Sequence, residues 1–253
     1  WYWEAPLTLV VKLRKGVMFP TKPGVMEARE LVADDVVYSY DLVNESPKRI
    51  ATYFDHIKRV EARDDYTVVF HLRHFNAEWS YRFGYGYYSG ISPREMSQVD
   101  RKSWKNVTGS GPFQLERYIQ ANAHIYRKNE YYWDRIRLGH ESYPLPFVDR
   151  VIYRIIKDEA TYLTALRTGQ LDILEAIRWI AVDHLKKTTP ELQWNRYLAT
   201  GGQFISLRVD QKPFDDIRVR RAMNLAVNQQ EIVDHFYGGH AELMAYPQHP
   251  EFG

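Results

Sequence analysis

The sequence predicts an α/β protein, and three patterns support this prediction. Residues 148–156 alternate β-branched and polar side chains as a strand does, and residues 171–174 form a second apolar run. Between them, residues 159–167 are rich in helix-forming side chains and are followed by Gly169, a residue type that favours a helix end. A strand, a helix and a strand in this order indicate an α/β layer.

The other elements follow from the same signals along the chain. Residues 60–62 and 67–72 predict a β-hairpin whose second strand pairs with an opening strand at 7–14. Acidic residues before apolar spacings predict helices at 31–40 and 217–225. Further strands are predicted at 113–118, 123–127 and 203–209, and further helices at 181–188 and 229–237.

Composition excludes several classes of protein. The chain has 253 residues and no cysteine, so it has no disulfide, no cysteine-ligated zinc and no cysteine nucleophile. Its formal net charge of +2 does not indicate nucleic-acid binding. Aromatic residues make up 15% of the chain, and they supply core volume and stacking surface for ligands.

Motifs of catalysis are missing from the sequence. The segment at 84–90 lacks the third glycine of a dinucleotide loop, so we interpret it as an aromatic loop in which Tyr87 and Tyr88 line a cleft or pack on the core. Paired carboxylates at 34–35, 64–65 and 215–216 occupy turns or helix starts, where capping explains them. A glycosidase pair stays open, because it is defined by spacing in three dimensions. We predict no catalytic residue, metal site or cofactor.

Seven segments in order resemble family 5 of the bacterial extracellular solute-binding proteins, the peptide, dipeptide and nickel receptors of ABC importers. They read KLRKGVMF, ADDVVYS, GSGPF, RKNEYYW, KDEAT, LRTGQLDI and PFDDIRVRRAMN, at residues 12–19, 33–39, 109–113, 127–133, 157–161, 166–173 and 213–224. Members of the family are about twice as long as this chain. Residues 20–31 also depart from the family pattern, because they carry extra residues and no His-Asp-Gly turn.

The resemblance implies a type II periplasmic-binding clamshell of which this chain holds most of lobe one and the start of lobe two. Residues 1–108 then form an inserted subdomain of lobe one and residues 109–202 its α/β core. Residues 203–253 hold a crossing strand and the beginning of lobe two. Both ends read as interior sequence, so we expect an excised fragment or a processed chain.

A ligand site is expected after the strand at 171–174, because open α/β sheets bind ligands at strand ends. Arg178 is suited to pair with a ligand carboxylate and Trp179 to stack on a side chain or sugar. Glycine before the strand at 203–209 permits hinge rotation or close backbone approach. Besides Tyr87 and Tyr88, the predicted ligand-binding residues are Glu175, Ile177, Arg178, Trp179, Gly202, Gln203 and Phe204.

The implied function is capture of a solute and its delivery to an ABC permease in the inner membrane, without chemistry and without nucleic acid. A peptide is the expected solute; an oligosaccharide receptor and, in a different class, a glycoside hydrolase or a sensor module are the alternatives. The resemblance implies a periplasmic protein or an extracellular lipoprotein. A truncated chain exposes cleft surface, so we also expect self-association.

Overall fold

The computed structural model of the chain describes residues 1–84, 90–197 and 204–243. The chain divides into two compact units, a first unit at Trp1–Ile155 and a second unit at Ile156–Gly253. None of the helices in the described ranges combines the length and the apolar character that a membrane span requires. The predicted boundaries at 109 and 203 stay a prediction.

The first unit contains all the strands of the described residues. They are β1 (Tyr2–Ala5), β2 (Thr8–Lys12), β3 (Met18–Phe19), β4 (Arg29–Glu30), β5 (Ile57–Asp64), β6 (Thr67–Leu72), β7 (Phe113–Ile119), β8 (Ala123–Lys128), β9 (Arg135–Leu138), β10 (Glu141–Pro144) and β11 (Arg150–Arg154). Its helices are α1 (Ala33–Asn44), α2 (Ala51–Phe54) and α3 (Trp79–Gly84), with 3₁₀ turns at Arg94–Gln98 and Trp104–Asn106.

A four-stranded antiparallel sheet in the order β1-β2-β6-β5 forms the centre of the first unit. The predicted hairpin is confirmed as β5 and β6, and the predicted pairing with the opening strand is confirmed by the register that places Leu9 opposite Phe70. Leu9, Val10 and Val68 are fully buried, so both faces of the two central strands exclude solvent. Branched apolar side chains suit strands that are covered in this way.

Helix α1 is fixed by a buried charge cluster at its start. The Asp35 carboxylate accepts hydrogen bonds from the backbone N–H of Val32 at 3.0 Å and of Arg94 at 3.1 Å, and from both terminal nitrogens of Arg29 at 2.7 and 2.8 Å. Arg29 also donates to Glu95 through Nε at 2.7 Å. The capping that the sequence predicts at Asp35 is present, and the cluster joins β4, α1 and the turn at Arg94–Gln98.

A second antiparallel sheet, in the order β11-β8-β7, follows the glycine-rich turn at 109–112. Two buried amides hold this turn: Gln114 Nε2 donates to the Gly109 carbonyl at 2.6 Å, and Asn129 Nδ2 donates to the Gly111 carbonyl at 2.8 Å. The hairpin of β9 and β10 lies between β8 and β11 in the chain, and all its strand residues are exposed.

The described part of the second unit is helical. Its helices are α4 (Glu159–Arg167), α5 (Trp179–Thr188), α6 (Ile217–Ala226) and α7 (Gln229–Glu231), the last continued by a π turn at Ile232–Phe236. The prediction of a strand at 171–174 is wrong, and residues 204–209 form no strand either. A strand needs a hydrogen-bonded neighbour, and the described residues of this unit supply none. Ile173 and Ile205 are therefore exposed.

Candidate functional site

Helix α4 begins and ends where its sequence directs. Asp158 caps the first turn by accepting the backbone N–H of Thr161 at 2.8 Å and its hydroxyl at 2.6 Å. These bonds hold the pKa of the Asp158 carboxyl below its usual value. Gly169 follows the helix with φ +68°, a conformation that glycine adopts without steric cost.

The loop between α4 and α5 contains three of the predicted ligand-binding residues, Glu175, Ile177 and Arg178. Ala176 has φ +58°, which is uncommon for a residue with a Cβ atom and turns the chain just before α5. Glu175 is exposed and Ile177 is half-buried. The loop therefore presents the Glu175 carboxylate to solvent one residue before a strained position, a feature that clusters at ligand-contacting sites.

Arg178 stands at the start of α5 and forms a two-pronged ion pair with Glu159 in the first turn of α4. Arg178 Nε lies 2.9 Å from Glu159 Oε1, and Arg178 Nη2 lies 2.8 Å from Glu159 Oε2. The Glu159 carboxylate holds the pKa of the Arg178 guanidinium above its ordinary value. The bond fastens the two helix starts together, and the Arg178 side chain is still 66% exposed.

Trp179 is held by residues near the end of the described chain. Its indole N–H donates to the Phe236 carbonyl at 3.2 Å, and its ring stacks on His240 with centroids 5.4 Å apart and planes 28° apart. A Cβ atom placed on Gly238 would lie 2.8 Å from the Trp179 ring, so only glycine fits beneath it. The ring thereby fixes the start of α5 against residues 236–240.

The structure thus brings Arg178 and Trp179 together with Glu159, Gly238 and His240. These three partners were missed in the sequence because they lie 19 to 61 residues away along the chain from Arg178 or Trp179. The paired glycines at 238–239 are the one signal that could have indicated a close approach. Of the other predicted residues, Phe204 is exposed, whereas Gly202, Gln203, Tyr87 and Tyr88 lie outside the described residues.

The corner between α4 and α5, defined here as residues 175–179 together with Glu159, offers groups that can recognise a ligand. It presents one exposed carboxylate, at Glu175, a guanidinium whose pairing with Glu159 leaves it partly open, and an aromatic wall. No group of three or more His, Cys, Asp or Glu side chains in ranges 1–84, 90–197 and 204–243 is placed to hold a metal ion. The arrangement suits the binding of a charged or polar solute.

The whole chain matches a known protein family. The sequence profile of the bacterial extracellular solute-binding proteins, family 5 Middle, covers residues 1–253. Among curated proteins, the chain is 30% identical over 257 residues to the di/tripeptide-binding protein 1 of Pseudomonas aeruginosa, covering 93% of this chain and 46% of that protein. The chain spans about half the length of the curated relatives it matches.

Solved structures show the same likeness. The periplasmic binding protein DppA of Helicobacter pylori, in complex with the peptide STSA, matches 98% of this chain and 50% of its own, with a TM-score of 0.82 and 27% identity. The oligopeptide-binding protein AppA of Bacillus subtilis, in complex with a nonapeptide, matches 98% and 47%, with a TM-score of 0.77 and 26% identity. The predicted fold class, α/β of the type II periplasmic-binding kind, is confirmed over the half that the chain spans.

Proposed function

We propose that this chain, which belongs to the bacterial extracellular solute-binding proteins of family 5, is part of an ABC-importer receptor that captures a peptide between two lobes. The observation that carries this proposal is the likeness to DppA, a protein solved with a bound peptide, over almost the whole chain. The curated relatives named as di/tripeptide-binding and glutathione-binding proteins support the same solute class.

The receptor delivers its peptide to a membrane permease and transforms nothing. Binding proteins of this kind work by closing two lobes over the ligand, a hinge motion that needs recognition groups and no catalytic ones. The relatives carry the names of binding proteins, which supports a receptor over a glycoside hydrolase. The structure of DppA is named as periplasmic, and we place this protein in the same compartment, as a periplasmic protein or a lipoprotein.

Within the corner between α4 and α5, we assign Arg178 to the peptide carboxylate. Glu159 occupies Nε and one hydrogen of Nη2, so three of the five N–H donors remain for a ligand. Glu175 is assigned to the peptide ammonium, because its exposed carboxylate has no ion-pair partner among the described residues. Ile177 and Trp179 form the apolar side of the contact.

The remaining predicted residues complete the proposed cleft. They are Tyr87, Tyr88, Gly202, Gln203 and Phe204. Phe204 is 68% exposed. Exposed apolar residues of the second unit also support the expected self-association of this chain in isolation.

A thermal-shift panel on the complete protein tests the proposal. Di- to pentapeptides and oligosaccharides are added at the same concentrations, and a ligand at 100 times its Kd is expected to stabilise the protein by about 2.7 kcal/mol. Stabilisation by peptides alone supports the peptide receptor. Stabilisation by sugars alone makes the protein an oligosaccharide receptor, and turnover of a chromogenic glycoside makes it a hydrolase.

Variants locate the site. Glu175→Gln and Arg178→Gln are each expected to weaken tripeptide binding by about tenfold, the equivalent of one charge-assisted hydrogen bond. Glu191→Gln, which removes an exposed charge from the loop after α5, is the matched control and leaves binding unchanged. Equal binding by all three variants would remove this corner from the site and leave the receptor proposal standing.

A further inference from the structure

The first unit contains a polar pocket of about 360 Å³ at one end of the four-stranded sheet. Side chains from α1, α2, β5 and the connecting segments line it. Its volume falls within the range of small-molecule sites. Of the described residues that the sequence predicts for the solute site, none is among its lining residues.

Three cationic side chains reach this pocket from separate segments: Arg49, Lys58 and Arg73. Lys58 is the extra residue of a β-bulge, because Ile57 pairs with Leu72 whereas Arg59 pairs with His71. A bulge redirects the side chain of its extra residue.

Hydrogen bonds fix the backbone at Arg73 and the guanidinium group of Arg49. Arg73 directly follows β6, and its backbone N–H donates to the His56 carbonyl at 2.7 Å. The Arg49 Nη1 atom donates to Asn44 Oδ1 at 2.8 Å, which ties the guanidinium to the end of α1. Lys58 in β5 and Arg73 after β6 line the pocket at one end of the β5–β6 pair, and Arg49 lines it from the segment between α1 and α2.

The lining of the pocket carries more positive than negative charge. None of the three cations forms an ion pair with a carboxylate of the described residues, in contrast to Arg29, Arg63 and Arg178. Asp55 is the one acidic side chain among the described lining residues, so three positive charges face one negative charge. A dianion would neutralise the excess.

The floor of the pocket belongs to the hydrophobic core. Phe54 and Ile57 are almost fully buried, and the Tyr40 ring packs on Phe54 with centroids 6.2 Å apart. Burial raises the pKa of the Tyr40 hydroxyl and Asp41 adds to this, while Arg73 and Arg49 act in the opposite direction. The Tyr40 hydroxyl therefore keeps its proton at neutral pH.

We propose that this pocket binds a small polyanion that carries phosphate or several carboxylate groups. Two guanidinium groups supply paired N–H donors that match the oxygen spacing of phosphate and carboxylate, and Lys58 adds a point charge. The site consists of first-unit residues alone, whereas Glu175 and Arg178 of the proposed solute site lie in the second unit. The proposal therefore does not depend on which solute the receptor carries.

Inorganic phosphate and citrate are the probes for this site, titrated into the chain with sodium chloride added to constant ionic strength. Binding is followed by NMR shifts of the backbone amides of residues 49, 58 and 73. Arg73→Gln and Lys58→Gln are each expected to weaken binding by about tenfold. Arg101→Gln removes an exposed cation that does not line the pocket, and it is expected to change binding by less than about twofold.

Saturable binding that the pocket variants weaken supports the proposal; tighter binding of citrate assigns a polycarboxylate, and tighter binding of phosphate assigns a phosphorylated ligand. If neither phosphate nor citrate binds at millimolar concentration, the proposal of an anion site is overturned. Binding that is equal in Arg73→Gln, Lys58→Gln and Arg101→Gln also overturns it, as an adventitious ion only. If Arg73→Gln fails to fold, Arg73→Lys is the alternative variant. It preserves the positive charge but cannot donate two parallel hydrogen bonds to the anion, so it is still expected to weaken binding.

Discussion

The two units of the chain bury their apolar side chains to very different extents. In the first unit, Leu9 and Val68 are completely excluded from solvent between sheet and helix, whereas in the second Leu225 is 84% exposed and Ile173 80%. Helix α6 has no buried residue at all. The difference indicates that the first unit carries its own core, while in the second unit α4 and α5 bury a few apolar side chains and α6 leaves its apolar side exposed.

The largest contrast is expected from truncation of one apolar side chain in each unit. Leu9→Ala removes a fully buried side chain and is expected to lower the free energy of unfolding by about 3 kcal/mol. Leu225→Ala deletes the same atoms from an exposed position and is expected to change it by less than about 0.5 kcal/mol. Urea unfolding followed through NMR signals of each unit measures both. Equal losses would abolish the distinction between the units.

The next largest effect is expected from the charge cluster around Asp35 at the start of α1, which stabilises the first unit. Asp35→Ala is expected to cost about 3 kcal/mol, because it leaves the half-buried Arg29 and two backbone N–H groups without their acceptor. Asp34→Ala is the matched control from the same helical turn. Asp34 is exposed and, among the described residues, its ion-pair partner is Arg94, so its loss is expected to cost less than about 1 kcal/mol. A similar cost for both would show that the cluster contributes no more than a surface pair.

Acid is expected to destabilise the first unit through the same cluster. Burial raises the pKa of Asp35, but hydrogen bonds from Arg29 and from the backbone N–H groups of Val32 and Arg94 outweigh burial and lower it overall. Arg29 likewise lowers the pKa of Glu95.

Because both folded pKa values lie below the unfolded ones, this stability is fully present above about pH 5 and is lost as pH falls through about 4 and below. Urea unfolding, followed through NMR signals of the first unit, checks this when the midpoint is measured at a series of pH values from neutral into the acid range. Asp35→Asn is expected to reduce the slope of the urea midpoint against pH. An unchanged slope would contradict the assignment of this acid sensitivity to the Asp35 cluster.

Alanine substitutions at two adjacent glycines of the second unit distinguish the cost of backbone strain from the cost of a steric clash. Gly238 and Gly239 have φ values of +56° and +76°, but only Gly238 lies against the Trp179 ring. Gly239→Ala is expected to cost about 1 kcal/mol and Gly238→Ala about 2 kcal/mol, the difference being the clash. The double variant Gly238→Ala, Trp179→Ala removes the clash, so its effects should be less than additive. Strict additivity would place Trp179 away from Gly238 in solution.

The smallest effect on stability is expected at Arg178. Its pair with Glu159 is solvent-exposed, so Arg178→Ala is expected to lower the free energy of unfolding by less than about 1 kcal/mol. If this variant loses peptide affinity in the complete protein while it keeps its stability, Arg178 serves recognition. If stability falls by several kcal/mol, the residue is structural.

The sequence predicted those parts of the fold that local signals determine. Helix α4 was predicted with the bounds that the structure shows, because Asp158 caps it and Gly169 follows it within a few residues. The β5–β6 hairpin is equally predictable from the sequence, since its two paired strands and the turn between them are adjacent in the chain.

The strand at 171–174 was predicted wrongly because a strand depends on a neighbour that no local pattern specifies. The site shows the same limit. Arg178 and Trp179 were identifiable as recognition residues by type, but Glu159 and Gly238 as their partners were not. The cations at residues 49, 58 and 73 carry no motif, and they come together only through the bulge in β5 and the end of β6.

Hydrogen exchange of the complete protein with and without trialanine tests the central claim most directly, since it reports on both units at once. A peptide receptor with its site at the corner between α4 and α5 is expected to slow the exchange of amides at residues 174–179. Amides around Lys58 and Arg73 in the first-unit pocket are expected to exchange unchanged. Exchange that is identical with and without peptide, across di- to pentapeptides, would contradict the account of this protein as a peptide receptor.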